Sequence, residues 1–258
     1  MDVKVFLLLT SFAIISRAAV LRNGVEIPQY AEICRRSQPQ DSLDECLKNS
    51  IQTLIQKISK DGISLLNFPS LDPWKVEEFH IKNSGDPFKI GLTFTNINTY
   101  GFSALQVLGV RSNFNNPNQI AMDVDFHNDR VLVKGNYVAE GYISDLPILG
   151  KGTFSGSVNN VTGTLKLRGH IVTKDGEEFL QIDRMIMRPT VGDMKLQMSN
   201  ENNKYPELSN LLVSLLNQFW RPIYQEALPY FQNVSDEIMT SRFNLATLKI
   251  PFNQLIPK

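Results

Sequence analysis

Two hydrophobic periods divide the chain. In DSLDECLKNSIQTLIQKISKDG, residues Leu43, Cys46, Leu47, Ile51, Leu54, Ile55 and Ile58 recur at three- and four-residue intervals, which makes one apolar stripe on a helix. Asp41 or Ser42 is placed to cap it, Asp44 and Glu45 fall in its first turn, Lys57 and Lys60 in its last, and Gly62 follows as a stop. From Lys75 onward the period becomes two. Phe88, Ile90, Leu92 and Phe94 alternate with polar or small residues, as do Ile120, Met122, Val124 and Phe126. RVLVKGNYVAEGYI, GTFSGSV, TGTLKLRGHIV, EFLQIDRMIM and DMKLQM continue the series, separated by HNDR, VNN and KDGEE, which read as turns. Glycines at 135, 141, 152, 156, 163 and 169 fall inside these strands, where glycine marks bulges, bends or close backbone approach. The pattern predicts a strongly curved antiparallel sheet.

The segment SNLLVSLLNQFWRPIYQEALPYF returns to helical spacing. At about 100° per residue, Leu211, Leu212, Leu215, Leu216, Phe219, Trp220, Ile223, Tyr224 and Phe231 spread over more than half the circumference. That width predicts a helix covered on two or three sides, beginning near Pro206 and kinked by Pro222. Glu226 falls within the apolar arc, where it either meets the polar end of a ligand or is turned to solvent by the kink. The final stretch, FNLATLKIPFNQLI, reads as a strand returning to the sheet. With no repeat and no linker between the helices, this is one α+β domain in which the sheet wraps the late helix.

The first residues add a compartment. Lys4, the apolar run Val5–Ile15 and the small residues Ser16 and Ala18 fit a secretory signal peptide, residues 1–18, leaving a domain of residues 19–258. No later run approaches the roughly 20 apolar residues of a spanning helix, so no stable membrane anchor is expected. The 26 basic and 26 acidic residues cancel, and no Lys/Arg block is present, so a nucleic-acid partner is not expected. In an oxidising compartment the two cysteines, Cys34 and Cys46, are most simply one disulfide. NVT at Asn160 and NVS at Asn233 are glycosylation acceptors.

Little catalytic chemistry is legible. His80, His127 and His170 are far apart and outside any HExxH or HxH pattern, and there is no GxSxG elbow. GKGTFSG lacks the ending of a phosphate loop and reads as a strand. Asp123 and Asp125 share the polar face of a strand and read as solvated residues rather than a catalytic pair. No catalytic residue, metal site or cofactor is expected.

Five segments, in order, cover almost all of the chain after the leader: ICRRSQPQDSLDECLKNSI, DGISLLNFPSLDPWKVEEFHI, FTNINTYGFSALQV, GNYVAEGYISDLPILGKGTFSGSV and FWRPIYQEALPYF. They resemble the insect takeout and juvenile-hormone-binding protein family, the takeout members more closely, since the second disulfide of the moth hormone-binding proteins is absent here. NENNKYPELSNLL departs from the LFNGN pattern usual before the long helix of the family. The resemblance implies a long helix wrapped by a highly curved antiparallel sheet, related to the lipid-binding domains of bactericidal/permeability-increasing proteins, around an apolar tunnel. It implies a secreted carrier for one extended hydrophobic ligand, such as a juvenile-hormone-like terpenoid or a fatty-acyl chain, and leaves open whether a receptor reads the loaded state. The lining expected on this basis is Leu212, Leu215, Phe219 and Ile223 from the helix, with Phe94, Val124, Phe126, Val133 and Tyr137 from the strands. Two alternatives remain at this stage: a secreted hydrolase of hydrophobic esters, and a signalling or structural protein with a filled core.

Overall fold

The structure, a computed structural model, describes residues 32–83, 88–143, 146–201 and 206–258; the expected signal peptide, residues 1–18, lies outside these. Helix α1 (Gln40–Asp61) carries the expected stripe, with Leu43, Leu47 and Ile58 buried, and stops at Gly62, whose φ of 65° suits glycine and whose N–H reaches the Ile58 carbonyl. Its start differs from expectation. Pro39 is the capping position and no side chain caps the helix, so Asp41 and Ser42 lie within it. Cys46, in its second turn, is bonded to Cys34, which ties the preceding arm onto the helix.

Strands β1 (Trp74–Asn83), β2 (Phe88–Tyr100), β3 (Gln106–Asn113), β4 (Ile120–Ile143), β5 (Leu146–Lys174) and β6 (Glu177–Met198) form one antiparallel sheet in the order β1-β2-β4-β5-β6. β3 pairs with the first half of β4 and β2 with its second half, so the two occupy successive stretches of the same ladder. The sheet curls into a half-barrel, with register shifts at Thr95–Asn98, Val107–Gly109 and Arg168–Gly169.

HNDR and VNN do not reverse the chain, contrary to the sequence reading; both lie inside continuous strands, opposite each other in the β4–β5 ladder. Their turn chemistry does something else. Asn128 accepts the Arg130 N–H on its own side-chain oxygen (3.0 Å) and donates to the Gly101 carbonyl (2.8 Å), while Asn160 takes a left-handed φ of 50°. At this level the inward parity changes. Buried positions of β4 are even-numbered up to Asn128 (Ile120, Val124, Phe126) and odd-numbered beyond it (Tyr137, Ala139). KDGEE is a true turn between β5 and β6, with Asp175 and Gly176 both at positive φ.

The late helical segment begins at Pro206 and is two helices, α2 (Pro206–Gln218) and α3 (Trp220–Thr247). The kink expected from Pro222 falls at Phe219 (φ −108°, ψ 27°). Gln218, the last residue of α2, carries the carbonyl that Pro222 can neither bond nor accommodate sterically. The closing stretch is not a strand: α3 runs through Thr247 and a short α4 (Phe252–Leu255) follows. Phe252, 1% exposed, plugs the base of the sheet against Ile120, Ile182 and Met185, a role that needs no ladder.

α2 and α3 run antiparallel to β6, and their polar side chains complete its free edge. The Asn217 amide accepts the Leu196 N–H (2.7 Å) and donates to the Leu196 carbonyl (2.8 Å). Arg221 donates to Gly192 O (3.2 Å) and the Tyr224 hydroxyl to Pro189 O (2.9 Å). Asp236 accepts the Met185 N–H (2.8 Å), and Asn244 pairs with both backbone groups of Ile182 (2.9 Å each). α1 does the same for β3, where Gln52 accepts the Val107 N–H (2.7 Å) and donates to Leu105 O (3.0 Å). Two sheet edges are thereby closed to further pairing by side chains.

Candidate ligand-binding site

The two halves of the molecule are packed differently. Beneath β3 and the first half of β4, buried clusters join α1, the end of α3 and α4: Cys34, Leu43 and Leu47 meet Val107, Val110 and Val124, and Phe252 meets Ile120, Leu167, Ile182 and Met185. A third cluster of Ile58, Leu66, Phe68 and Ile250 closes the same end. About nine residues further along β4, roughly 30 Å at the strand rise, Tyr137 and Ala139 of the sheet are still buried, but the apolar side chains of the late helices are exposed. Leu211 is 55% exposed, Leu215 40%, Phe219 50% and Ile223 41%, with Leu212, Tyr230 and Phe231 similar.

The helix is therefore covered on one side, not on two or three as its wheel implies. Asn217 turns one face to the β6 edge, and Leu211, Leu215 and Phe219 lie on the opposite face of α2. Trp220 is buried at 8%, but Ile223, Tyr230 and Phe231 beyond it on α3 are again exposed.

The sheet side of this end is aromatic. Phe154 on β5, Phe94 on β2 and Phe79 on β1 form a row with ring centroids 5.3 and 4.9 Å apart, and Phe79 meets Phe231 of α3 at 5.5 Å. Gly135 makes the row feasible: a Cβ there would stand 2.9 Å from the Phe154 ring. Tyr137 faces the same way, pairs in register with Phe94, and donates its hydroxyl to Ser199 O (2.8 Å). Burial, with a contribution from the Glu201 charge, pushes the Tyr137 phenol above its ordinary value, so it stays a neutral donor. Val133 lies at the level of Gly156 and Leu196, where Asn217 docks.

The expected lining residues thus separate. Phe94, Val133, Tyr137, Leu212, Leu215, Phe219 and Ile223 lie at the open end. Val124 and Phe126 lie elsewhere: Val124 is buried against α1, and Phe126 is 6% exposed with its ring over Gly163. Strict alternation cannot place Phe126 and Tyr137 on one face, and only the parity change turns both inward. Phe79, Phe154 and Phe231 were missed because each needs a cross-strand or helix–strand register to be brought into the row. Glu226 is exposed.

The polar candidates behave as solvated strand residues. Asp123 pairs with Arg168 (2.6 Å), and Asp125 with Arg111 and with Thr164 (2.6 Å). His80, His127 and His170 each contact a neighbouring carboxylate, at 3.2, 2.9 and 3.0 Å, and remain apart from one another. Among the described residues no group of acidic, His or Cys side chains is arranged to hold a metal ion. A groove of about 370 Å³, lined by Asp183, Asn233, Asp236, Glu237, Thr240 and Ser241, is shallow and open to solvent. No described helix is long and apolar enough to cross a membrane.

The sequence profile of the haemolymph juvenile hormone binding protein family matches residues 6–257. Among solved structures, the crystal structure of Takeout 1 from Epiphyas postvittana matches with a TM-score of 0.72 at 20% identity, covering 88% of this chain and 100% of that one. A lipopolysaccharide binding protein matches with a TM-score of 0.36 at 13% identity, over 81% of this chain and 38% of that one. No curated protein matches the sequence significantly.

Proposed function

The chain belongs to the haemolymph juvenile hormone binding protein family, and we propose that it is a secreted carrier holding one extended hydrophobic molecule, a terpenoid or fatty-acyl chain, at the open end of the half-barrel. One observation carries this reading: at one end the helices are packed into buried clusters, and at the other α2 and the start of α3 leave a row of large apolar side chains accessible beside an aromatic stretch of sheet. A structural protein with a filled core has no use for that contrast. A ligand entering between the Phe154–Phe94–Phe79 row and α2 leaves water at roughly 25 cal/mol per Å² of apolar surface, against walls that are already apolar and in place. Phe94, Val133, Leu212, Leu215, Phe219 and Ile223 are the proposed walls, and the Tyr137 hydroxyl oxygen is the proposed polar contact. Val124 and Phe126 contribute stability rather than contact. The leader, residues 1–18, and glycans on Asn160 and Asn233 belong to the same proposal; Asn233 is exposed on α3.

Native mass spectrometry of the secreted protein, followed by solvent extraction and titration with a fluorescent fatty-acyl probe, tests the reading. One bound probe per chain, displaced by terpenoid competitors, is the expected result. Stripped protein that stays folded and takes up no fatty-acyl or terpenoid probe overturns it.

A further inference from the structure

We infer that Arg242 anchors the head of the bound chain, and that the ligand is therefore a carboxylate amphiphile, a fatty acid or a terpenoid acid, rather than a neutral ester; the inference rests on the carrier reading above. Arg242 projects from α3 toward β1. Its guanidinium stacks over the Trp74 ring at 4.2 Å, and Nη2 donates to the Lys75 carbonyl. Nη1 is shielded from solvent and meets no acceptor among the described residues. Glu77, whose charge reaches the guanidinium, is itself exposed and forms no ion pair with it among the described residues. Burial outweighs that charge and holds Arg242 below its ordinary pKa.

The position of Arg242 suits a head group. Trp74 pairs in register with Thr99, and Thr99 with Val133, so Arg242 sits over the sheet at the level of a proposed wall. Phe243, the next residue, packs on Phe68 (5.1 Å) in the cluster that closes the base, which puts Arg242 at the inner limit of the open end. Phe231, which meets Phe79 of the aromatic row, lies three helical turns earlier on α3. Both side chains therefore leave the same helix face, about 17 Å apart at the helix rise. An extended acyl or terpenoid chain covers that interval with its head at Arg242 and its tail at the aromatic row. A guanidinium withdrawn from water is costly while one of its donors stays unmatched. The Trp74 face offsets part of that cost, and a carboxylate accepting from Nη1 offsets more, because both partners are charged. An ester carbonyl supplies an acceptor without the charge.

Displacement of a fluorescent polyene methyl ester from the delipidated full chain is the test, with palmitate against methyl palmitate and retinoate against methyl retinoate as competitors. Each acid should bind about tenfold tighter than its ester, the scale of one charge-assisted hydrogen bond, and the tighter acid identifies the chain. Arg242→Met should remove that preference by weakening the acids while the esters stay unchanged, and Arg242→Lys should retain part of it. A second readout leaves Arg242 in place. In Trp220→Phe protein, where Trp74 is the remaining tryptophan, palmitate brominated near its carboxylate should quench emission more than palmitate brominated at its tail. Equal binding of acids and esters, equal weakening of both by Arg242→Met, or stronger quenching by the tail bromine overturns the anchor and leaves the carrier reading standing. Binding of neither acids nor esters ends both.

Discussion

Asp125 shows how a single exposed pair is tied to pH. A hydrogen bond from Arg111, then one from Thr164, holds its carboxyl below the usual carboxylate range. A depressed folded-state value means that the unfolded chain binds the proton first as pH falls. The pair's contribution is therefore present above the ordinary carboxylate value of about 3.9 and is lost as pH drops through the lower folded value. Asp125→Asn should flatten the acid limb of a curve of Tm against pH and change little at neutral pH, because the pair is solvent-screened. An unaltered acid limb would mean that the pair does not couple to folding. Gly135 is the steric counterpart. Its missing Cβ leaves room for Phe154, so Gly135→Ala should cost about 1–3 kcal/mol by overpacking. Gly156→Ala, whose nearest neighbour would be 3.9 Å away, should be close to neutral in the same thermal melts.

At the scale of elements, α1 and the start of α2 were legible because local signals and tertiary environment agree there. The stripe from Leu43 to Ile58 faces one packed layer, and Gly62 and Pro206 punctuate it as their backbone chemistry dictates. The strand boundaries were not legible. Asn128 and Asn160 carry turn chemistry, yet each sits between neighbouring strands whose pairing continues past it, so the local preference is spent on changing the inward face. FNLATLKIPFNQLI has strand-like composition, but Asn244 is needed on the β6 edge and Phe252 in the core, and helical spacing delivers both. The wheel of α2 marked the apolar arc correctly and misjudged its coverage, since a wheel does not say what lies opposite. This revises the expected effect of mutation. Leu215→Asp, at a position 40% exposed, should lower Tm only slightly while weakening fatty-acyl binding severalfold. Trp220→Ala should cost about 3–5 kcal/mol by opening a cavity at a buried position. Comparable losses of stability in the two variants would show that α2 is packed as tightly as α3.

At the scale of the whole molecule, curvature, parity change and edge capping act together. β3 and β2 share one side of β4 in succession, so one half of the sheet closes on α1 and the other is left for the late helices to face. The filled end supplies stability and the disulfide-tied arm; the open end is left with accessible apolar walls. The most direct measurement of that division of labour is a crystal structure of the protein loaded with a long fatty-acyl or terpenoid chain. The account predicts one elongated ligand lying between Phe94, Val133 and the Leu212–Leu215–Phe219 face of α2, with the clusters around Leu47, Val124 and Phe252 unchanged. Ligand density lodged among those buried clusters, or confined to the open groove beside Asp236, would contradict it.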